Sequence, residues 1–218
     1  MKHNTVLCLL VFLLLGSCKE QNRSKVEQDG QTAEQNTSAS AKESDQPESV
    51  PRNVEDIQET YASIITQLEN GILDSTTFKY SCYNEKGGTA TYFSYKNQLR
   101  LIVHQYHEYD HHSAIDRYFI KDSVLFFINL NRTLWSFESG PEGSTKDDIT
   151  EQRIYLIDQK PVKCLEKKFT VRSQVTSNPN PQTIPNKEID CSSLKSVLNP
   201  YQVLLKYRHS KSAGCLED

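Results

Sequence analysis

Between residues 104 and 112 the chain reads His-Gln-Tyr-His-Glu-Tyr-Asp-His-His, so four imidazoles and two carboxylates (Glu108, Asp110) fall within one short stretch. Imidazole nitrogen and carboxylate oxygen suit zinc, copper or nickel. The spacing is not the His-Glu-x-x-His pattern that sets two imidazoles on one helix face. On a strand, His104 and His107 are an odd number of residues apart and point to opposite faces. Only His107, Asp110, His111 and His112 can converge, and only through a turn. Those four are the candidate metal ligands; the plainer expectation is a solvated hairpin tip.

Other chemistry finds less support. There is no Gly-x-Ser-x-Gly elbow for a serine nucleophile. The run from Gly140 to Lys146 has a misplaced Lys for a phosphate loop, and Pro141 removes an N–H that would cradle the anion. Asp147-Asp148 supplies too few oxygens for calcium. No catalytic motif is present, and the chain is expected not to be an enzyme. With 25 Lys and Arg against 28 Asp and Glu, the net charge of −3 gives no basic surface for nucleic acid.

The polar cluster must sit on strands. Segments 77–83, 89–95, 99–107, 114–121, 124–129 and 133–137 are rich in aromatic and β-branched residues, with turn signals between them. A longer loop, 138–149, leads to a last hairpin, 152–157 and 161–169. Short connections make the neighbours antiparallel. Ahead of the strands, Val54, Ile57, Tyr61, Ile64, Ile65 and Leu68 recur at helical spacing. Asn53 with Asp56 makes a variant capping box, and Gly71 closes the helix. Two short helices are expected near 191–198 and 200–209, with Asn199-Pro200 starting the second. The fold class is α+β: an antiparallel β-meander sheet with an N-terminal helix and short C-terminal helices packed against one face. Trp135, Phe137, Tyr92, Tyr95, Tyr106, Tyr109 and Tyr118 lie on these strands. Most are expected beneath the helices; any left exposed would form a binding platform.

The first residues set the location. A polar start with Lys2 is followed by an apolar run to Leu15, too short to span a bilayer and fitting the core of a secretory signal. Leu15-Gly16-Ser17-Cys18 resembles the lipobox of bacterial lipoproteins, which are cleaved before the Cys. The resemblance implies a diacylglycerol thioether on Cys18, a mature chain starting there, and firm anchoring by two or three acyl chains. Apart from that covalent lipid no cofactor is expected. Lys19 after the Cys implies the outer membrane, and Lys19-Glu20 is similar to part of the surface-export signal of Bacteroidota lipoproteins. Gly87-Gly88, Tyr118-Phe119, Leu125-Phe126-Phe127, Arg153-Ile154-Tyr155 and the run from Cys164 to Lys167 resemble uncharacterised Bacteroidota lipoproteins with a strand meander, a family that lends no activity.

The chain therefore divides into a signal (1–17), a lipidated Cys with a disordered polar tether (18–50) and one domain (51–218). The tether lacks aromatic residues and too little of it is apolar to offset its ordering entropy. Once Cys8 leaves with the signal and Cys18 carries lipid, Cys82, Cys164, Cys191 and Cys215 remain, an even set in an oxidising compartment. Three pairings are possible; Cys82–Cys164 with Cys191–Cys215 is the favoured one. The expected function is that of a membrane-anchored envelope lipoprotein that binds a protein, peptide or glycan. The alternatives are an envelope hydrolase or metal-binding protein using residues 104–112, or a structural envelope protein.

Overall fold

The computed structural model describes residues 49–191 and 195–216. The lipobox and the tether as far as residue 48 lie outside the described residues. Helix α1 (Val54–Glu69) starts where Asn53 Oδ1 accepts the Asp56 N–H at 2.8 Å. The reciprocal arm of the cap reaches one residue further back than expected, with Arg52 N donating to Asp56 Oδ2 at 2.9 Å. Glu55 and Asp56 in the first turn complement the positive end of the helix dipole. At the other end Gly71 takes φ +67°, which lets its own N–H reach Leu68 O and that of Ile72 reach Gln67 O, a Schellman ending.

Seven strands then run as an unbroken antiparallel meander: β1 (Asp74–Cys82), β2 (Lys86–Tyr95), β3 (Gln98–Glu108), β4 (His112–Lys121), β5 (Val124–Phe137), β6 (Thr145–Ile157) and β7 (Lys160–Arg172). A two-residue β8 (Lys187–Glu188) adds to β7. After helix α2 (Lys195–Lys206), a two-residue β9 (Ser212–Ala213) pairs in parallel with β1, giving nine strands in the order β8-β7-β6-β5-β4-β3-β2-β1-β9. Lys96-Asn97, Asp122-Ser123 and Asp158-Gln159 are two-residue turns with both residues at positive φ, the handedness that matches strand twist. Gly87 and Gly88 belong to β2 rather than to the turn before it. A Cβ on Gly88 would collide with Gln105 O, so glycine is what allows β2 to approach β3 there.

The sheet is buried on both faces. Ile102, Tyr118, Ile128 and Ile154 form one core with Val197, Tyr201 and Leu204 of α2. Their neighbours in sequence, Leu101, Phe119, Phe127 and Tyr155, form another with Ile57 and Ile64 of α1. Strand alternation sends these two sets to opposite sides. The helices therefore flank the sheet rather than sharing a face, which corrects the expected one-sided packing. The pair of C-terminal helices is also corrected to a single α2, with Pro200 inside it. An interior proline costs about 3 kcal/mol. Val197, Tyr201 and Leu204, spaced at four and three residues, give one buried stripe across it that offsets the cost.

Two further corrections concern the long strands. Segments 124–129 and 133–137 are one strand, because β4 and β6 both pair with it through Asn129, Leu130, Asn131 and Arg132. Strand β6 begins at Thr145, in register with Phe137, so the expected long loop shrinks to 138–144. At about 3.3 Å per residue β5 is about 46 Å long. The 16 residues of α1 span about 24 Å. Both cores sit in the half of the sheet near the turns at 96–97, 122–123 and 158–159. The other half, ending in the turns at 83–85 and 109–111, extends past them.

The disulfides are Cys82–Cys215 and Cys164–Cys191, with Cα separations of 4.4 and 5.6 Å. All four cysteines are paired as expected, but not in the favoured connectivity. Cys82 is on β1 and Cys164 on β7, six strand spacings or about 29 Å apart along the sheet. A disulfide needs Cα atoms within about 7 Å.

Candidate functional site

On the α2 side the alternation that builds the core continues into the open half with polar residues. Past Ile102, Tyr118 and Leu130 it places His104, Asp116 and Arg132, and His104 lies directly opposite Asp116. Tyr80 on β1 shares a hydrogen bond of 2.9 Å with His104 Nε2. The imidazole stacks on Tyr106 with centroids 4.5 Å apart. Tyr106 donates to Asp116 Oδ2 at 3.3 Å, and an Arg132 guanidinium nitrogen lies 3.6 Å from the same oxygen. Asp116 is fully buried and His104 is 5% exposed. His104 Nδ1, Asp116 Oδ1 and the Tyr118 hydroxyl make no hydrogen bond to any described residue.

Burial sets the protonation of this row. It lowers His104 to about 4, so the imidazole is neutral near pH 7. It raises Tyr106 to about 12 and pushes Tyr80 above the ordinary phenol value. It also raises the Asp116 carboxyl, against the pull of Arg132 and the Tyr106 hydroxyl. General acid–base catalysis works best with groups that titrate near the operating pH. A base of about 4 beside phenols held above 10 is badly matched to proton transfer. The row is suited to fixing hydrogen-bond directions.

Beside it a cleft of about 480 Å³ opens between β1–β3 and α2. Tyr80, His104 and Tyr106 form one wall and Asn199 and Val203 another, with the Cys82–Cys215 bridge at its edge. The Lys86–Glu108 ion pair, 3.1 Å, stands among its lining residues.

The α1 side of the open half is different. His111 stacks on Trp135 with centroids 5.0 Å apart, and Trp135 meets Phe137 edge to face at 4.8 Å. Phe137 is 70% exposed, and Tyr83, Tyr109 and Leu134 are also exposed at this end of the sheet. Next to the aromatic ladder a groove of about 590 Å³ crosses the strands, lined by Thr89, Gln105, Ser113, Asn131 and Thr133 among others.

The four candidate metal ligands are dispersed. His107 is on the α1 side, its ring 3.0 Å from where a Gly87 Cβ would stand. Asp110 and His111 are in the β3–β4 turn, His111 engaged with Trp135. His112 is on the α2 side, its ring centroid 5.9 Å from that of Tyr106. Among the described residues no group of three His, Cys, Asp or Glu side chains is placed to hold a metal ion. His104 and His107 do occupy opposite faces, as their odd separation requires. Of the aromatic residues singled out in the sequence, Tyr92 and Tyr118 are buried, while Tyr109 and Phe137 are exposed. Sequence reasoning missed Tyr80 as the partner of His104, and Asp116 with Arg132 as the ion pair beside it. Their signal is positional: each shares the inward parity of its own strand, and only the register brings them together.

The described residues form an open β-meander with one helix on each face and a polar end that extends past both apolar cores. No family model matches the chain, and comparison with curated proteins and with solved structures finds no match.

Proposed function

We propose that the chain is a lipid-anchored envelope protein that works by binding, holding a protein, peptide or glycan against the open half of its sheet. The observation that carries this reading is the exposure of Tyr83, Tyr109, Leu134 and Phe137 together at one end of the sheet. Exposed aromatic side chains dominate recognition surfaces because they bury large area at low entropic cost. The acid–base mismatch of the His104 row favours binding over catalysis. The anchor rests on the likeness of Leu15-Gly16-Ser17-Cys18 to a lipobox, with outer-membrane placement following from Lys19.

Two measurements test the two parts. Cys18→Ala should move the protein from the membrane fraction to the soluble fraction, and membrane association that persists overturns the anchor. For the binding part, the full chain is applied to glycan and peptide arrays. A double variant, Tyr109→Ser with Phe137→Ser, should weaken any specific binder by about tenfold or more, the scale of losing hot-spot contacts. Unchanged affinity in that variant, or no binder on either array, overturns it.

A further inference from the structure

The groove on the α1 side carries a specific chemistry. Most of its walls are odd-numbered residues of β2 to β5, on the face of Leu101, Phe119 and Phe127 but beyond the reach of α1, with Gly88, Tyr106 and Ala114 completing the lining. Thr89 is opposite Gln105, and Ser113 is opposite both His107 and Thr133. Their hydroxyls and carboxamides thus occupy two adjacent rows across four strands, with the apolar Ile115 set between Gln105 and Asn131. Each of these groups both donates and accepts hydrogen bonds. No Asp, Glu, Lys or Arg is among the residues lining the groove. Glu151, in register beside Asn131, is already held by Lys167 at 2.9 Å.

At one end of the rows stands the ladder His111–Trp135–Phe137, with its outermost ring mostly exposed. A ligand matching both parts must offer hydroxyls that donate and accept, an apolar C–H face for an aromatic ring, and no net charge. A pyranose has all three. An anionic or cationic ligand would meet no opposite charge in the groove, and a wholly apolar one would strand the amides and hydroxyls without partners.

We propose that this groove binds a neutral oligosaccharide, its sugars hydrogen-bonded along Thr89, Gln105, Ser113, Asn131 and Thr133 and one terminal ring stacked on Trp135 or Phe137. This rests on the reading of the chain as a binding protein and names the ligand class of one face of the open half.

Trp135 is the only tryptophan in the chain, so its fluorescence reports on this groove alone. The full chain is titrated with neutral β-linked and α-linked glucan and mannan oligosaccharides, with a polyuronate oligosaccharide and a proline-rich peptide as controls. The expected result is a saturable change in Trp135 emission with at least one neutral oligosaccharide, insensitive to added salt. Asn131→Ala and Phe137→Ala should each weaken it by about tenfold or more, at unchanged melting temperature. A response to the polyuronate that salt abolishes, or to the peptide alone, overturns the neutral-sugar inference and leaves the binding reading standing. No response to any of the four probe classes overturns the inference too, and the array experiment then decides the binding reading by itself.

Discussion

The two halves of the sheet share the same strands and differ in what those strands carry. Near the turns at 96–97 and 122–123, β3, β4 and β5 present apolar residues on both sides: Leu101 and Ile102, Tyr118 and Phe119, Phe127 and Ile128. Each side is sealed by a helix. Further along the same strands the inward positions become His104, Asp116 and Arg132 on one face and Gln105, Asn131 and Thr133 on the other. On the α2 side this polar row is still buried, Asp116 fully and His104 nearly so, behind a cleft whose far wall is Asn199 and Val203. On the α1 side Gln105, Asn131 and Thr133 lie beyond the apolar core and line an open groove. The polar and aromatic groups available to a partner are therefore those of the α1 side and the sheet end.

Each half holds one disulfide, and that offers the largest test of the contrast. Cys82–Cys215 closes a separation of 133 residues and pins the tail beside the open-half cleft; Cys164–Cys191 closes 27 in the covered half. By chain entropy the first should stabilise by about 5 kcal/mol and the second by about 3.5 kcal/mol. Urea unfolding of Cys82→Ser/Cys215→Ser and of Cys164→Ser/Cys191→Ser measures both. If the end of the tail is merely laid on the open half, losing the first bridge should also expose residues 212–216 to proteolysis while the sheet stays folded. A covered half that unravels in the same variant would contradict the division.

Phe119 and Phe137 make the same comparison with one residue type. Phe119 is fully buried, 4.9 Å from the Tyr61 ring of α1 and 5.6 Å from that of Phe127. Phe119→Ala should cost about 3–5 kcal/mol. Phe137→Ala should cost under about 0.5 kcal/mol. Similar losses from the two would mean that the far end is part of the core after all.

The meander and its first helix were legible because their signals are local. The periodicity of α1, the Asn53 cap and the two-residue turns depend on residues close in sequence. What was not legible depends on partners far along the chain. Asn131 and Arg132 look like a break between strands, and the ladders from β4 and β6 carry β5 through them. Asn199-Pro200 looks like a helix start, and the burial of Val197 with Tyr201 and Leu204 holds one helix across it. The favoured cysteine pairing failed for the same reason, since nothing local shows how many strands separate Cys82 from Cys164. In the candidate site, His107, Asp110, His111 and His112 were the one set a turn could gather, and alternation sends His107 and His112 to opposite faces. The partners His104 does find, Tyr80 and Tyr106 with Asp116 close by, come from the register.

The last comparison concerns the α2 side of the open half, and it asks whether this buried polar row is closed to protons although it lies beyond the apolar core. His104 is neutral when folded, with its value lowered to about 4 by burial, and the unfolded chain restores an ordinary imidazole. Between those two values the unfolded state binds the extra proton, so stability falls as pH is lowered through that window. Moving from about pH 7 to about pH 5 should remove about 2 kcal/mol on this account. Asp116 works the other way: its raised carboxyl favours the folded state most at low pH, and that contribution is lost as pH rises. Tyr80 and Tyr106, both raised by burial, do not titrate in this range. His104→Phe keeps an aromatic ring against Tyr106 and removes only the titration and the bond to Tyr80, while leaving Asp116 in place. Subtracting its urea stability at the two pH values from that of the unaltered chain therefore isolates the histidine. A difference near 2 kcal/mol means His104 is sealed as firmly as a core residue. No difference means water and protons reach its ring, and the α2 side would then be as open as the groove on the other face.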